Sequence, residues 1–360
     1  MATRREVADL AGVSEATVSR VMNGVGPIKE DTRRKVAAAA AELGYQLNAL
    51  ASGFAKGRSG NIGVVLPHVP KVRLFSTYYF SEILSGIGDV LHQAGYGLLL
   101  LYRNPQARYD YVSLYRTRRV DACLILGASA LPEEQASVFA LADEGLPCCV
   151  VDQRYSRAGL PCVGADHRAG AYAAARYMLD AGHRRIGFLN GSPHYSNSAD
   201  RYEGYRQALA ESGLYPDPEH LFEGNYSRKS GHEAAGVIFE RLAALDGLLC
   251  ANDRMAIGAI QGLRERGVAV PERLPVIGYD NSDASSLTDP PLTTVEVPFY
   301  EMGRLAAESV LARLAGESGV ASGNDAIGVA EGAAVYQANG SNPVADDVLL
   351  PTQLIIRRSC

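Results

Sequence analysis

Along residues 1–45 the apolar positions recur at helical spacing. In "RREVADLAGVSEATVSRVMNG", Val7, Ala8, Leu10 and Ala11 form one apolar face. Val18, Val21 and Met22 form a second at i, i+3, i+4. Between them "GVS" supplies a turn at Gly12, an apolar plug and Ser14 as N-cap of the second helix. The string "EDTRRKVAAAAAELGY" predicts a third helix that buries Val36, Ala40 and Leu43 and stops at Gly44. This is the layout of a helix-turn-helix. On its second helix Glu15, Ala16, Ser19, Arg20 and Asn23 point away from the apolar face, where base edges and phosphates are within reach. An ordinary three-helix packing unit has the same periodicity, so the pattern alone leaves both readings open.

From residue 61 the pattern changes to short apolar runs alternating with amphipathic helices. The runs "NIGVVLP", "YGLLLLY", "VDACLIL", "LPCCVVD", "HRRIGFLNG", "LDGLLCAND" and "LPVIGYD" predict strands. "YYFSEILSGIGDVLHQAG", "AGAYAAARYMLDAG", "RYEGYRQALAESG" and "RMAIGAIQGLRERG" predict helices. Buried strands joined by crossover helices form parallel, doubly wound sheets, and these runs suffice for two. Ligands of such sheets bind beyond the carboxyl ends of the strands. Polar residues gather there: Asp152 after "PCCVV", Asn252 and Asp253 after "GLLCA", Asp280 after "PVIGY", with Arg201 expected to open the helix after "GSPHYSNSAD". A single strand-end Asp is readily explained as a helix N-cap. Several at one edge, with a guanidinium, make a set that holds hydroxyls in paired hydrogen bonds.

Charge separates the two regions. Residues 1–60 hold nine Lys/Arg against six Asp/Glu, whereas the whole chain of 360 residues has a net charge of −5. A basic start on an acidic body suits a polyanion-binding module joined to something else. The six Cys show no CxxC, and most lie in apolar runs, which points to a reducing cytoplasm. Charged residues occupy the N-terminus where a signal peptide needs an apolar run, and no apolar segment approaches 18 residues. An exported or membrane-spanning protein is therefore not expected. No spacing of Cys and His calls for a metal, and no cofactor is implied. GxSxG, HExxH and GxxxxGK[ST] are absent, and Gly86 to Gly88 lies inside a helical pattern rather than after a strand. An enzyme using Asp152, Asp253 and Asp280 in acid–base chemistry stands as the remote alternative.

The string "VADLAGVSEATVSRVMNG…TRRKVAAAAAELGY" closely resembles the DNA-binding headpiece of the LacI/GalR family of bacterial transcription regulators. That resemblance implies double-stranded operator DNA as partner. Glu15, Ala16 and Arg20 would face the major groove, with Arg20 suited to a bidentate contact to guanine, while Ser14, Thr17, Ser19, Asn23 and Thr32 fix the backbone. Lys29 stands where relatives have a Ser-like helix cap. "QLNALASGFAKGRSG", residues 46–60, occupies the place of the family's hinge, a short helix that forms on operator and presses a Leu into the minor groove. Phe54 stands at that Leu position, an apolar wedge of equal kind. Gly53 opposes the helix by about 1 kcal/mol relative to Ala.

The runs "GHRRIGFLNG", "RYEGYRQAL", "ANDRMAIGAIQGL", "VIGYDNS" and "PPLTTVEVPFYEMG" resemble the effector-binding core of the same family, which shares its two-lobed fold with periplasmic sugar-binding proteins. The resemblance implies a headpiece at 1–45, a hinge at 46–60 and a core at 61–360. The core's N-lobe would span about 61–161 plus 292–320, and its C-lobe about 162–291 plus 321–360. It carries over Asp152, Arg201, Asn252 and Asp280 as polar contacts and Tyr226 and Phe299 as aromatic walls. Tyr79 and Phe80 keep the aromatics of a segment whose usual Pro is lost. Aromatic faces around a polar ring suit a saccharide effector, and a purine base is the other candidate. Residues 316–343, rich in Gly, Ala, Ser and Asn, form a surface insertion. No leucine heptads follow the final "VLLPTQLIIRRSC", so a homodimer reading a pseudo-palindromic operator is expected. The function implied is a repressor of carbohydrate-utilisation genes controlled by a sugar. A plain solute-binding protein has no use for residues 1–45.

Overall fold

The computed structural model describes residues 2–23, 26–45, 58–69, 73–157, 159–317 and 347–360; the side chains of Asn23 and Glu317 fall outside the description. Most of the expected hinge, with Phe54, and nearly all of the insertion at 316–343 therefore lie outside the described residues. The chain divides into two units, Met1–Gly60 and Asn61–Cys360.

The first unit holds helices α1 (Arg4–Ala11), α2 (Glu15–Asn23) and α3 (Glu30–Glu42). Thr3 and Glu6 form a reciprocal capping box at the start of α1, and Gly12 ends it at φ +65°, a conformation open to glycine. The Ser14 hydroxyl accepts from the Thr17 amide at 3.2 Å, the N-cap expected from "GVS". Val7, Ala8, Val18, Val36, Ala39 and Ala40 make the core, and Ala11, Val21, Met22 and Leu43 pack on it. Leu10 does not belong to it: it is 48% exposed. At 100° per residue the stripe through Val7, Ala8 and Ala11 leaves Leu10 on its outer flank. Lys29, at the N-cap of α3, makes no side-chain capping bond.

The second unit contains two parallel sheets. The first comprises β1 (Asn61–Pro67), β2 (Gly97–Arg103), β3 (Ala122–Leu126), β4 (Cys148–Val151), β5 (Cys162–Ala165) and β11 (Val348–Leu350), in the order β11-β5-β4-β3-β1-β2. The second comprises β6 (Ile186–Asn190), β7 (Leu221–Glu223), β8 (Gly247–Cys250) and β9 (Val276–Ile277), in the order β7-β6-β8-β9. An antiparallel pair, β10 (Thr294–Glu296) and β12 (Gln353–Ile355), completes the strands among the described residues. The crossover helices used below are α4 (Tyr78–Gln93), α7 (His167–Asp180), α8 (Ser196–Glu211), α9 (Arg228–Glu240), α10 (Asp253–Arg264) and α12 (Phe299–Glu317); α5 (Tyr111–Arg116), α6 (Pro132–Asp143) and α11 (Asp283–Leu287) fill the remaining positions.

Two expectations shift. The boundary at residue 162 assigned Cys162–Ala165 and Val348–Leu350 to the C-lobe, but both strands hydrogen-bond into the first sheet, β5 to β4 and β11 to β5. The chain crosses to the second lobe only with α7, which packs on α8, β8, β10 and β12. Arg201 does not open its helix. Ser196 does, because Tyr195 is the last extended residue before it, and Arg201 falls in the second turn.

Glycines set how closely the helices pack. A Cβ on Gly86 of α4 would lie 2.0 Å from the Tyr300 carbonyl oxygen, and one on Gly303 of α12 would lie 2.1 Å from that of Ile83. Gly86 thus belongs to a helix contact, and Gly88 lies in the same helix with open space beside it, so the pair forms no nucleotide loop. Gly303→Ala is expected to lower stability by about 1–3 kcal/mol, since the obstacle is backbone that cannot rotate away. Urea denaturation of the full chain checks this.

Candidate functional site

The strand ends converge on one cleft of the second unit. Asp152 follows β4, Asn252 follows β8, Tyr279 and Asp280 follow β9, Tyr226 precedes α9, and Arg201 reaches in from α8. Among the described residues, Asp152, Tyr226 and Asp280 hold positive φ angles of 63°, 65° and 112°. Such angles are unfavourable for a bulky Tyr above all, and they turn these side chains away from the course of their segments. Gly191 leaves the Tyr226 ring its space, since a Cβ there would sit 2.1 Å from the ring.

Arg201, Asp152, Asn252 and Asp280 are all buried. The Arg201 guanidinium lies 4.4 Å over the Tyr279 ring and 5.9 Å from that of Tyr226. Its Nη2 donates to His167 Nδ1 at 3.2 Å, while its Nε is buried with no hydrogen-bond partner among the described residues. His167 Nε2 lies 2.8 Å from Asp152 Oδ1, and Asn197 Nδ2 donates to Asp152 Oδ2 at 2.8 Å. The Tyr226 hydroxyl bonds Ser198 and donates to Asn197 Oδ1 at 3.1 Å. Asn252 accepts from the Met255 amide at 3.0 Å as cap of α10 and donates to the Tyr226 carbonyl at 3.1 Å. It therefore frames the cleft and keeps one amide hydrogen to spare.

Burial dominates the electrostatics. It pushes the Asp280 carboxyl well above the ordinary range, which the nearby Arg201 only partly offsets. Burial likewise pushes Asp253 up to about 6, against bonds from Thr294 and Ser282. The His167 pKa is lowered, by burial first, with the Arg201 charge adding to it. For Asp152 burial acts upward but is outweighed by His167, Arg201 and Asn197, so its carboxyl titrates below the usual range. Near neutral pH, then, a neutral ring stands between an ionised carboxylate and a guanidinium.

On the aromatic side, the Tyr79 ring packs edge-on to Phe80 at 4.8 Å and to Phe299 at 5.2 Å. Tyr79, Phe80 and Phe299 thus form one cluster at the start of α4 and α12. Behind it the buried Arg103, paired with Glu134, donates to the carbonyls of Val65, Leu126 and Gly127 at 3.0, 3.1 and 2.9 Å. This pins the strand ends on which the cluster rests. Arg254, at the N-terminus of α10, crosses to the first lobe and donates to the Thr77 hydroxyl at 3.2 Å. No cluster of three or more His, Cys, Asp or Glu among the described residues is placed to hold a metal ion.

In the first unit, Glu15, Ala16 and Arg20 of α2 are exposed, and Thr17, Ser19 and Thr32 are half-buried. The Ser14 and Thr17 hydroxyls bond one another at 2.9 Å, and Glu15 accepts from Arg4 Nε at 3.2 Å. Arg20 forms no ion pair among the described residues.

His167, Asn197, Ser198 and Tyr279 were not among the residues singled out from the sequence. His167 had a legible signal: it follows "CVGAD", a strand end like the others, but a four-residue run containing Gly and Ala does not stand out as a strand.

A helix-turn-helix unit and a two-lobed parallel α/β body with a polar cleft, on one chain, define a DNA-binding protein with a ligand-binding core. Comparison agrees in both parts. Residues 3–48 match the bacterial regulatory proteins of the lacI family, and residues 175–360 match a periplasmic binding protein-like domain. Catabolite control protein A of Priestia megaterium is 32% identical over 304 residues, 84% of this chain and 89% of that protein. The transcriptional regulator CelR in complex with cellobiose superposes with a TM-score of 0.68 at 27% identity, covering 100% of both chains. The lac repressor dimer bound to operator and the anti-inducer ONPF superposes with a TM-score of 0.78 at 25% identity, covering 99% of this chain and 98% of that one. The chain belongs to the lacI family of bacterial regulatory proteins, and it is a DNA-binding transcriptional regulator. No helix among the described residues is long and apolar enough to cross a membrane.

Proposed function

We propose that this protein is a repressor of carbohydrate-utilisation genes whose operator affinity is set by a small saccharide held in the core cleft. The observation that carries this reading is Arg201 Nε, buried and without a partner, beside an Asp280 carboxyl that makes no hydrogen bond among the described residues. A free donor and a free acceptor between aromatic rings match the paired hydroxyls and apolar faces of a sugar. Asp152, by contrast, is occupied by His167 and Asn197 and serves to orient the donors. Tyr226, Tyr79, Phe80 and Phe299 supply the walls.

Ser14, Thr17, Ser19, Asn23 and Thr32 position the headpiece on DNA, Glu15, Ala16 and Arg20 face the bases, and Phe54 is the minor-groove wedge. The active form is a homodimer. In support, β2 leaves Leu98, Leu100 and Tyr102 exposed at 37%, 38% and 47%, an apolar strip that a second copy would cover. A panel of cellobiose, D-ribose, adenosine and hypoxanthine on the full-length chain tests the effector class. A sugar at 100 times its dissociation constant should stabilise the protein by about 2.7 kcal/mol. Stabilisation by the purines alone would replace the saccharide reading with a purine one.

A further inference from the structure

We propose that His167 is a positioning residue of the cleft, linking the carboxylate of Asp152 to the guanidinium of Arg201 and holding Arg201 in the orientation that presents Nε to the effector. This rests on the cleft being the effector site. The ring sits in a chain of bonds, Asp152 Oδ1 to Nε2 at 2.8 Å and Nδ1 to Arg201 Nη2 at 3.2 Å, with the Tyr279 hydroxyl at 3.4 Å from Nδ1. A guanidinium has only donors, so Nδ1 must be the acceptor and Nε2 must carry the proton that Asp152 receives. The geometry thereby fixes both tautomer and charge: a protonated ring turns Nδ1 into a donor aimed at a cation.

The charged and titratable groups around the ring are Asp152 beyond β4, Arg201 and Asp200 of α8, and Tyr279 beyond β9. Of the other strands packed on α7, β10 brings Glu296, which accepts instead from Asn281 at 3.1 Å, and β8 brings the buried Cys250. Burial first, with Arg201, disfavours the charged ring and outweighs Asp152 and Asp200, which favour it. A sugar that engages Arg201 favours the neutral ring further. Affinity is therefore full at neutral and alkaline pH and falls as the pH drops through the ring's lowered midpoint, by up to about tenfold per pH unit.

Full-length protein, His167→Ala and His167→Gln are titrated with cellobiose and D-ribose from about pH 8 down to about pH 4, below the ordinary histidine window because the midpoint of His167 is lowered. His167→Ala is expected to weaken sugar binding by about tenfold or more, because it strands a buried donor and a buried carboxylate. His167→Gln, which keeps a donor and an acceptor but cannot take up a proton, should recover most of the affinity and lose part of the acid-side slope. Asp253 and Asp280 are the same in both proteins, and Asp152 is held low by His167, so the difference in slope reports the His167–Asp152 pair. An unchanged slope in His167→Gln, or unchanged affinity in His167→Ala, overturns the proposal. Imidazole ¹⁵N spectra of the full-length chain need no sugar. The signal lost in His167→Gln should show Nε2 protonated and Nδ1 bare at neutral pH, and an Nδ1–H tautomer overturns the relay. If neither sugar binds the unsubstituted protein, the saccharide reading fails while the spectra still decide the state of His167.

Discussion

Arg201→Ala is expected to reduce sugar affinity by about 100-fold or more, measured by calorimetry on the full-length chain. A hydrogen bond to a charged group contributes about 1.5–3 kcal/mol, and the guanidinium can offer the sugar more than one. The substitution also removes the positive charge that Asp152 and Asp280 share, and Asp280 is already pushed well above the carboxylate range by burial. Without Arg201 its carboxyl should titrate higher still, so the variant is expected to be less stable at alkaline pH than the parent. Arg201→Lys should not rescue binding, because an ammonium on a flexible stem cannot bond His167 and the sugar in the fork geometry of Arg201. Sugar affinity of Arg201→Ala within about threefold of the parent would remove Arg201 from the site.

Arg20→Ala is expected to weaken operator binding by about 1–3 kcal/mol per half-site and to relax selectivity at one base pair. Binding to non-specific duplex at the same salt should change little, because base contacts specify whereas phosphate contacts position. The headpiece gives Arg20 this freedom: it is exposed on α2, and no acidic neighbour among the described residues holds it. Glu15, in contrast, is already engaged by Arg4 at 3.2 Å. Fluorescence anisotropy on operator and scrambled duplexes at fixed salt separates the outcomes. Equal losses on both would make Arg20 a phosphate contact.

The headpiece was legible because its signals are local: Ser14 caps α2, Gly12 turns the chain, and Val7, Val18 and Val36 meet in the core. The long buried strands were legible for the same reason, each carrying its own apolar run. Elements whose structure depends on distant partners were not legible. β5 and β11 are short runs whose membership of the first sheet comes only from pairing with β4 and with each other. Leu10 is apolar by identity yet exposed, since one residue's angle around α1 decides its fate. In the cleft, Asp152 and Asp280 were legible by their place at strand ends, and Arg201 by resemblance, although it lies in the second turn of α8. The division of labour among them was not legible, because it depends on His167 and Asn197 occupying both oxygens of Asp152. Arg103 and Glu134 carry no motif at all, and only the folded chain shows that they pin the strand ends behind Tyr79 and Phe80.

The cleft and the headpiece are expected to report to one another. The direct measurement is a closed thermodynamic box on the full-length protein. Sugar affinity is determined with and without saturating operator, and operator affinity with and without saturating sugar. Linkage requires the two factors to be equal, so a sugar that changes operator affinity tenfold must have its own affinity changed tenfold by operator. Equal factors of about 5–150, the range of ordinary allosteric coupling, are expected. Sugar affinity that is identical on free and operator-bound protein would contradict this coupling.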